Sequence, residues 1–152
     1  MAVSSADFKD IDRGLVKVYH GIIYLEQTRL AQSEFKDLTI KEMHAIEAIS
    51  MYHRHTISEV AKMLHLTPGT MTAMVDRLIY KGYVERVRDK NDRRVIRLKL
   101  TNHGRVFYRA HQVFHKMMVK EFLNGMNDQE VKVIKQAIQS LERFLDEQSL
   151  KD

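Results

Sequence analysis

The sequence predicts a mainly α-helical protein carrying one small β-hairpin, and three observations predict it. Apolar residues recur at steps of three and four along most of the chain, the repeat of amphipathic helices. One proline and six glycines among 152 residues leave little chain for long loops. Only after Lys81-Gly82 does the period change to two, as in paired strands. The length suits a single domain of roughly 100–200 residues.

Each element has its own local reason. Phe8, Ile11, Leu15, Val18, Ile22 and Leu25 form one face of a long first helix running to about Arg29. Thr39 and Glu42 have the spacing of a capping box, in which a hydroxyl and a carboxylate satisfy each other's backbone donors, so a second helix begins there ahead of Met43, Ile46 and Ile49. Thr56 and Glu59 repeat the signature before Val60 and Leu64. Thr67-Pro68 supplies a cap followed by proline at the first helical position, and His65-Leu66 leaves only a tight turn between these two short helices. A strand follows at residues 83–88, a polar turn at Asp89-Lys90-Asn91-Asp92, and a second strand at residues 95–100. Thr101 caps a fifth helix, along which Val106, Ala110, Val113 and Met117 step, with Gly125 near its end. Asn127 and Glu130 open a sixth helix carrying Val131, Ile134, Ile138, Leu141 and Leu145. The first, fifth and sixth helices carry more apolar surface than the small central unit can cover, which points to a homodimer built on residues 1–38 and 101–152; the plainer alternative is that all three fold back onto their own subunit, and periodicity alone does not separate the two.

Composition narrows the function. The net charge is +5, yet residues 67–105 alone carry +6, so the whole basic excess sits in one internal segment. A concentrated basic segment asks for a polyanionic partner. There is no cysteine, which removes disulfides, thiolate metal sites and cysteine nucleophiles together. No basic leader with an apolar run opens the chain and no eighteen consecutive apolar residues occur, so a cytoplasmic protein without membrane spans is expected. A phosphate-cradling glycine loop, a nucleophile elbow and an HExxH motif are all missing, and neither catalysis nor a cofactor is expected.

The order helix, tight turn, helix, strand, turn, strand across residues 56–100 is that of a winged helix-turn-helix, and with the helix before it residues 39–100 are expected to be the DNA-binding region. In the helix after Thr67, Met71, Met74, Val75 and Leu78 share one face, which leaves Gly69, Thr72, Ala73, Asp76 and Arg77 on the other. A small, polar and once basic face suits a major groove, where threonine meets either hydrogen-bonding edge and arginine forks onto guanine. Arg86, Arg88, Lys90, Arg93, Arg94, Arg97 and Lys99 crowd around the hairpin turn, where an arginine is drawn to the negative potential of a minor groove. A solvated, charge-protected hairpin is the plainer reading of such a turn taken alone.

Residues 56–104, TISEVAKMLHLTPGTMTAMVDRLIYKGYVERVRDKNDRRVIRLKLTNHG, resemble the DNA-binding region of the MarR family of bacterial regulators. The marks are the helix end at Leu78 to Gly82, Arg86, the wing Asp92-Arg93-Arg94, and Leu100-Thr101 leading to Gly104. The flanking helices also fit, and the resemblance implies a two-fold dimer binding double-stranded, palindromic DNA. It makes Arg94 the minor-groove arginine, Asp92 the carboxylate holding the wing tip, and Thr67, Thr70, Thr72 and Arg77 recognition-helix contacts, with Ala73, Arg88, Asn91 and Arg93 beside them. Gly69 departs from the pattern, offering only its amide to a phosphate. Residues 35–44, 81–88 and 111–118 are further similar to the family's repressors of fatty-acid synthesis, which implies acylated acyl carrier protein as corepressor. Nine methionines and a basic surface agree with a flexible acyl chain on an acidic carrier, although methionines on helix stripes are ordinary core residues.

Histidines supply an alternative. His111 and His115 stand four apart, so both rings can face one cation, and His44 offers a third approach from the second helix, with Glu42 or Glu47 as a fourth ligand. Zinc-sensing members of the same family have histidines in similar places.

Overall fold

Local capping chemistry decides where most of the helices begin in the computed structural model, which describes residues 3–149. Helix α1 (Ser5–Gln32) is capped by the Ser4 hydroxyl. Both predicted capping boxes form, Thr39 with Glu42 ahead of α2 (Ile40–Ile49) and Thr56 with Glu59 ahead of α3 (Ile57–Met63). Thr67 caps α4 (Pro68–Tyr80), with proline at its first position. Strands β1 (Val84–Arg88) and β2 (Ile96–Leu100) pair antiparallel, Val84 opposite Leu100 and Arg88 opposite Ile96. Thr101 caps α5 (Asn102–Phe122), and the Asn127 side chain accepts from Gln129 and Glu130 at the start of α6 (Asp128–Ser149). The mainly α architecture with a two-stranded wing is therefore as the sequence predicts. The outermost positions of the two terminal segments, 1–2 and 150–152, lie outside the described residues.

The core is the hub of the winged unit. Ala45, Ile46 and Ile49 of α2, Val60 and Ala61 of α3, Met71, Val75 and Leu78 of α4, and Leu98 of β2 are fully or almost fully buried. Leu98 also donates its backbone N–H to the His55 carbonyl at 2.7 Å, so the segment before α3 lies along the outer edge of β2. At the end of α4 the chain turns through Gly82, φ +83°, while Tyr83 N–H reaches the Leu78 carbonyl and Gly82 N–H that of Ile79. This is a Schellman turn, and it explains why a glycine follows Lys81.

The terminal helices are different. Phe8, Ile11, Leu15 and Leu25 of the predicted α1 stripe are exposed, and only Glu26 and Leu30 of that helix are buried. On α5 the face meeting the core is Phe107, Tyr108 and His111, while the predicted stripe Val106, Val113 and Met117 stands uncovered on another side. No described residue of α6 is buried. Apolar periodicity marks both a core face and an uncovered one, so it identifies the helices without saying which face packs inward. Among the described residues no helix is long and apolar enough to cross a membrane.

Candidate nucleic-acid interface and neighbouring histidine cluster

Helix α4 turns Met71, Met74, Val75 and Leu78 inward and leaves Thr67, Gly69, Thr70, Thr72, Ala73 and Arg77 exposed on one side. The threonines are already ordered. Thr67 Oγ1 accepts from Thr70 N–H at 3.2 Å and donates to Thr70 Oγ1 at 2.8 Å, and Thr72 donates back to the Pro68 carbonyl at 2.8 Å. Gly69 has ordinary backbone geometry, and a β-carbon there would meet nothing within 4 Å. Neither strain nor an internal contact requires glycine at this exposed position. Arg77 points its Nε toward Glu42 Oε1 at 3.4 Å and keeps its side chain 55% exposed.

The wing is tied to this helix by Arg86, whose guanidinium donates to Asp76 at 2.8 Å. At the tip, Asp92 accepts from Arg94 N–H at 3.0 Å and from Arg94 Nε at 3.3 Å, so it holds that arginine. Arg94 remains 92% exposed, and Arg88, Asn91 and Arg93 are exposed with it. Asp89, expected only as a turn residue, orders the tip as well. Its carboxylate accepts from the Asn91 and Asp92 amides and from Arg97 Nε, while Arg97 also donates to the Arg54 carbonyl at 2.9 Å. These donors, Arg97 first, hold the Asp89 carboxyl down to about 2. An aspartate two residues before an Asn-Asp pair is the signal for such a loop, because its side chain mimics a backbone turn.

On the other side of α2 the three predicted histidines meet, with a partner the sequence reading missed. His111 Nε2 lies 2.8 Å from His115 Nε2, and His44 Nε2 lies 3.1 Å from Glu26 Oε2. Glu26, His111 and His115 present ligand atoms within 4.8 Å of one another, so His44 joins the cluster through Glu26 rather than directly. Glu47 approaches His111 at 3.3 Å and His115 at 3.6 Å, and its hydrogen bond with His111 keeps its carboxyl below the ordinary range. Glu42 is not recruited, being engaged by Thr39, Arg77 and Lys81. The overlooked signal for Glu26 was its place four residues after Ile22, a carboxylate continuing an apolar face. Beside the cluster opens a cavity of about 470 Å³ lined by Leu30, Phe35, Met43, Phe107 and Phe114, with Glu26 and His111 at its wall. The Arg29 guanidinium lies 4.8 Å above the Phe114 ring.

Comparison with known proteins gives concordant likenesses. Residues 38–96 match the family described as MarR family. The chain is 31% identical over 96 residues to the multiple antibiotic resistance protein MarR of Escherichia coli (strain K12), covering 62% of this chain and 67% of that protein. It is 25% identical over 131 residues to the HTH-type transcriptional repressor MdtR of Bacillus subtilis (strain 168), covering 85% and 83% respectively. Among solved structures, Streptococcus pneumoniae FabT in complex with DNA superposes with a TM-score of 0.82 at 39% identity, over 92% of this chain and 98% of that one.

Proposed function

The chain belongs to the MarR family of DNA-binding transcription regulators, and from that premise we propose that it represses its target genes by binding an inverted-repeat operator as a homodimer. The observation that carries this reading is the coincidence of the +6 segment with the exposed side of α4 and the wing tip. In it Thr67, Gly69, Thr70, Thr72, Ala73 and Arg77 face the major groove, and Arg88, Asn91, Asp92, Arg93 and Arg94 follow the flanking minor groove, with Arg94 inserted. Residues 39–100 form the DNA-binding region, and residues 1–38 and 101–152 the dimerisation helices, whose uncovered apolar faces need a second copy. A two-fold dimer sets its recognition helices about one turn apart, ~34 Å. Selection from random duplexes tests this: a palindromic site should emerge, and its affinity should fall steeply with salt. Recovery of no preferred site, or binding indifferent to ionic strength, defeats the assignment.

The finer reading is control of fatty-acid synthesis genes, with long-chain acylated acyl carrier protein as corepressor. The likeness to FabT supports it, as does the cavity beside the histidines, where Phe35, Met43, Phe107 and Phe114 offer an acyl chain apolar walls while Glu26, Arg29, Gln32, Ser33 and His111 make part of the lining polar. An effector shifts the population only through better affinity for the DNA-competent arrangement, so the acylated carrier should tighten operator binding and the free carrier much less.

The histidine cluster favours a second reading, a zinc-responsive repressor. A carboxylate and two imidazoles within 4.8 Å, with His44 and Glu47 beside them, are the nitrogen and oxygen donors that zinc prefers, and the residues fit. Glu26, His111 and His115 would hold the ion, which would clamp α1 to α5 against α2. The two readings separate cleanly. Under the zinc reading a chelator releases DNA, acid pH mimics the chelator by protonating the imidazoles, and His111→Ala with His115→Ala abolishes the response. Under the acyl reading chelation changes nothing.

A further inference from the structure

Two capping boxes of the same design behave differently, and the difference singles out one residue. Glu59 caps α3 with its side chain 50% exposed. Glu42 makes the same bond to its cap residue, Thr39, at 2.8 Å, yet its side chain is only 2% exposed. Capping therefore does not require the burial of Glu42. Two cations at the C-terminal end of α4 meet it there: Lys81, the cap residue, donates Nζ to Oε2 at 2.8 Å, and Arg77 Nε approaches Oε1 at 3.4 Å. Oε2 serves the cap and Lys81, whereas Oε1 faces Arg77. The nearby acceptors on the same turn are spoken for, since Lys81 also donates to the Asp37 carbonyl and Tyr83 donates to Asp37 Oδ1 at 2.8 Å.

A guanidinium tethered at Nε keeps both terminal nitrogens free, and that pair is the fork that meets two acceptors on one base edge. Holding a long side chain in place beforehand removes rotamer freedom that binding would otherwise have to remove. We propose that Glu42 is a positioning residue that presents Arg77 from the recognition helix and so sets base preference at one position of each half-site. The inference rests on the DNA-binding reading, and it makes the capping carboxylate of α2 part of the reading head on α4.

The test uses the full-length protein and the operator recovered by selection, with each base pair of a half-site varied in competition. Glu42→Gln keeps a residue accepted in a capping box, but its single carbonyl oxygen cannot serve Thr39 and Arg77 together. It should lower discrimination at one base pair per half-site by about tenfold, at the position that Arg77→Ala flattens. In the Arg77→Ala background, Glu42→Gln should flatten that position no further. Glu42→Asp, which retains the charge but is a methylene short, should give the same flattening, with circular dichroism showing that it is folded. A wild-type preference profile in folded Glu42→Gln or Glu42→Asp overturns the proposal, as does an equal added loss in the Arg77→Ala background, the mark of a purely structural role. Wild-type protein that selects no site at all overturns the DNA-binding reading and this one with it, whereas a selected site read unchanged by both Glu42 variants overturns only this one.

Discussion

Asp89 organises the base of the wing tip because its one carboxylate gathers two amides and the Arg97 guanidinium, while Asp92 beside it holds Arg94. A carboxyl held down to about 2 contributes order that is fully present above its ordinary value, 3.8, and is lost as pH falls through about 2. The Asn91 and Asp92 amides should therefore shift between pH 4 and pH 2 in an NMR titration, and Asp89→Asn should remove that step while weakening operator binding. Arg94→Ala tests the neighbouring claim: binding should weaken chiefly for operators with a narrow A·T-rich flank, and unchanged flank preference in a folded variant would keep the wing out of the groove. At this scale the sequence was legible wherever chemistry is local. Thr39, Thr56, Thr67 and Thr101 all cap as their spacing predicts. Glu26 was legible only as a carboxylate on the apolar face of α1; its histidine partners were not, because they depend on α1 meeting α2 and α5 at one point, a crossing that spacing within α1 does not encode.

Between elements, two junctions carry the geometry of the reading head. At the turn joining α3 to α4, His65 adopts φ 54°, a conformation that costs an ordinary residue roughly 1–2 kcal/mol and a glycine almost nothing. His65→Gly should leave thermal stability equal or higher, whereas His65→Val, branched at Cβ and less tolerant of this conformation than histidine, should lower it. Where the wing hands over to α5, a β-carbon on Gly104 would stand 2.1 Å from the Tyr83 carbonyl oxygen. The same turn is stitched by Thr101, whose N–H reaches the Tyr83 carbonyl at 3.0 Å and whose hydroxyl reaches that of Gly82 at 2.6 Å. Gly104→Ala should cost on the order of 1–3 kcal/mol in chemical denaturation, as overpacking against backbone does. The sequence marked Gly104 only through family likeness, since the atom it avoids lies just before β1, 21 positions earlier. Hairpin, turn and helix order were legible throughout, because period and cap are properties of contiguous residues.

For the whole molecule, α6 is decisive: its Ile138, Leu141, Phe144 and Leu145 are 47%, 42%, 54% and 55% exposed in the single chain. Ile138→Glu should shift sedimentation toward monomer and weaken operator binding while leaving the winged unit folded. The sequence announced these apolar stripes without assigning their faces, because which faces meet depends on how helices cross in space, and spacing along one helix does not encode that crossing. A helix without a covering surface is marginal in water, since few of its stabilising contacts are internal. In the proposed homodimer stability would then depend on protomer concentration, as for any assembly whose folded state is the associated one. The outcome is a dosage threshold. Under the proposed homodimer, limited proteolysis should cut the terminal helices faster in dilute protein than in concentrated protein, and a rate independent of concentration would count against the threshold.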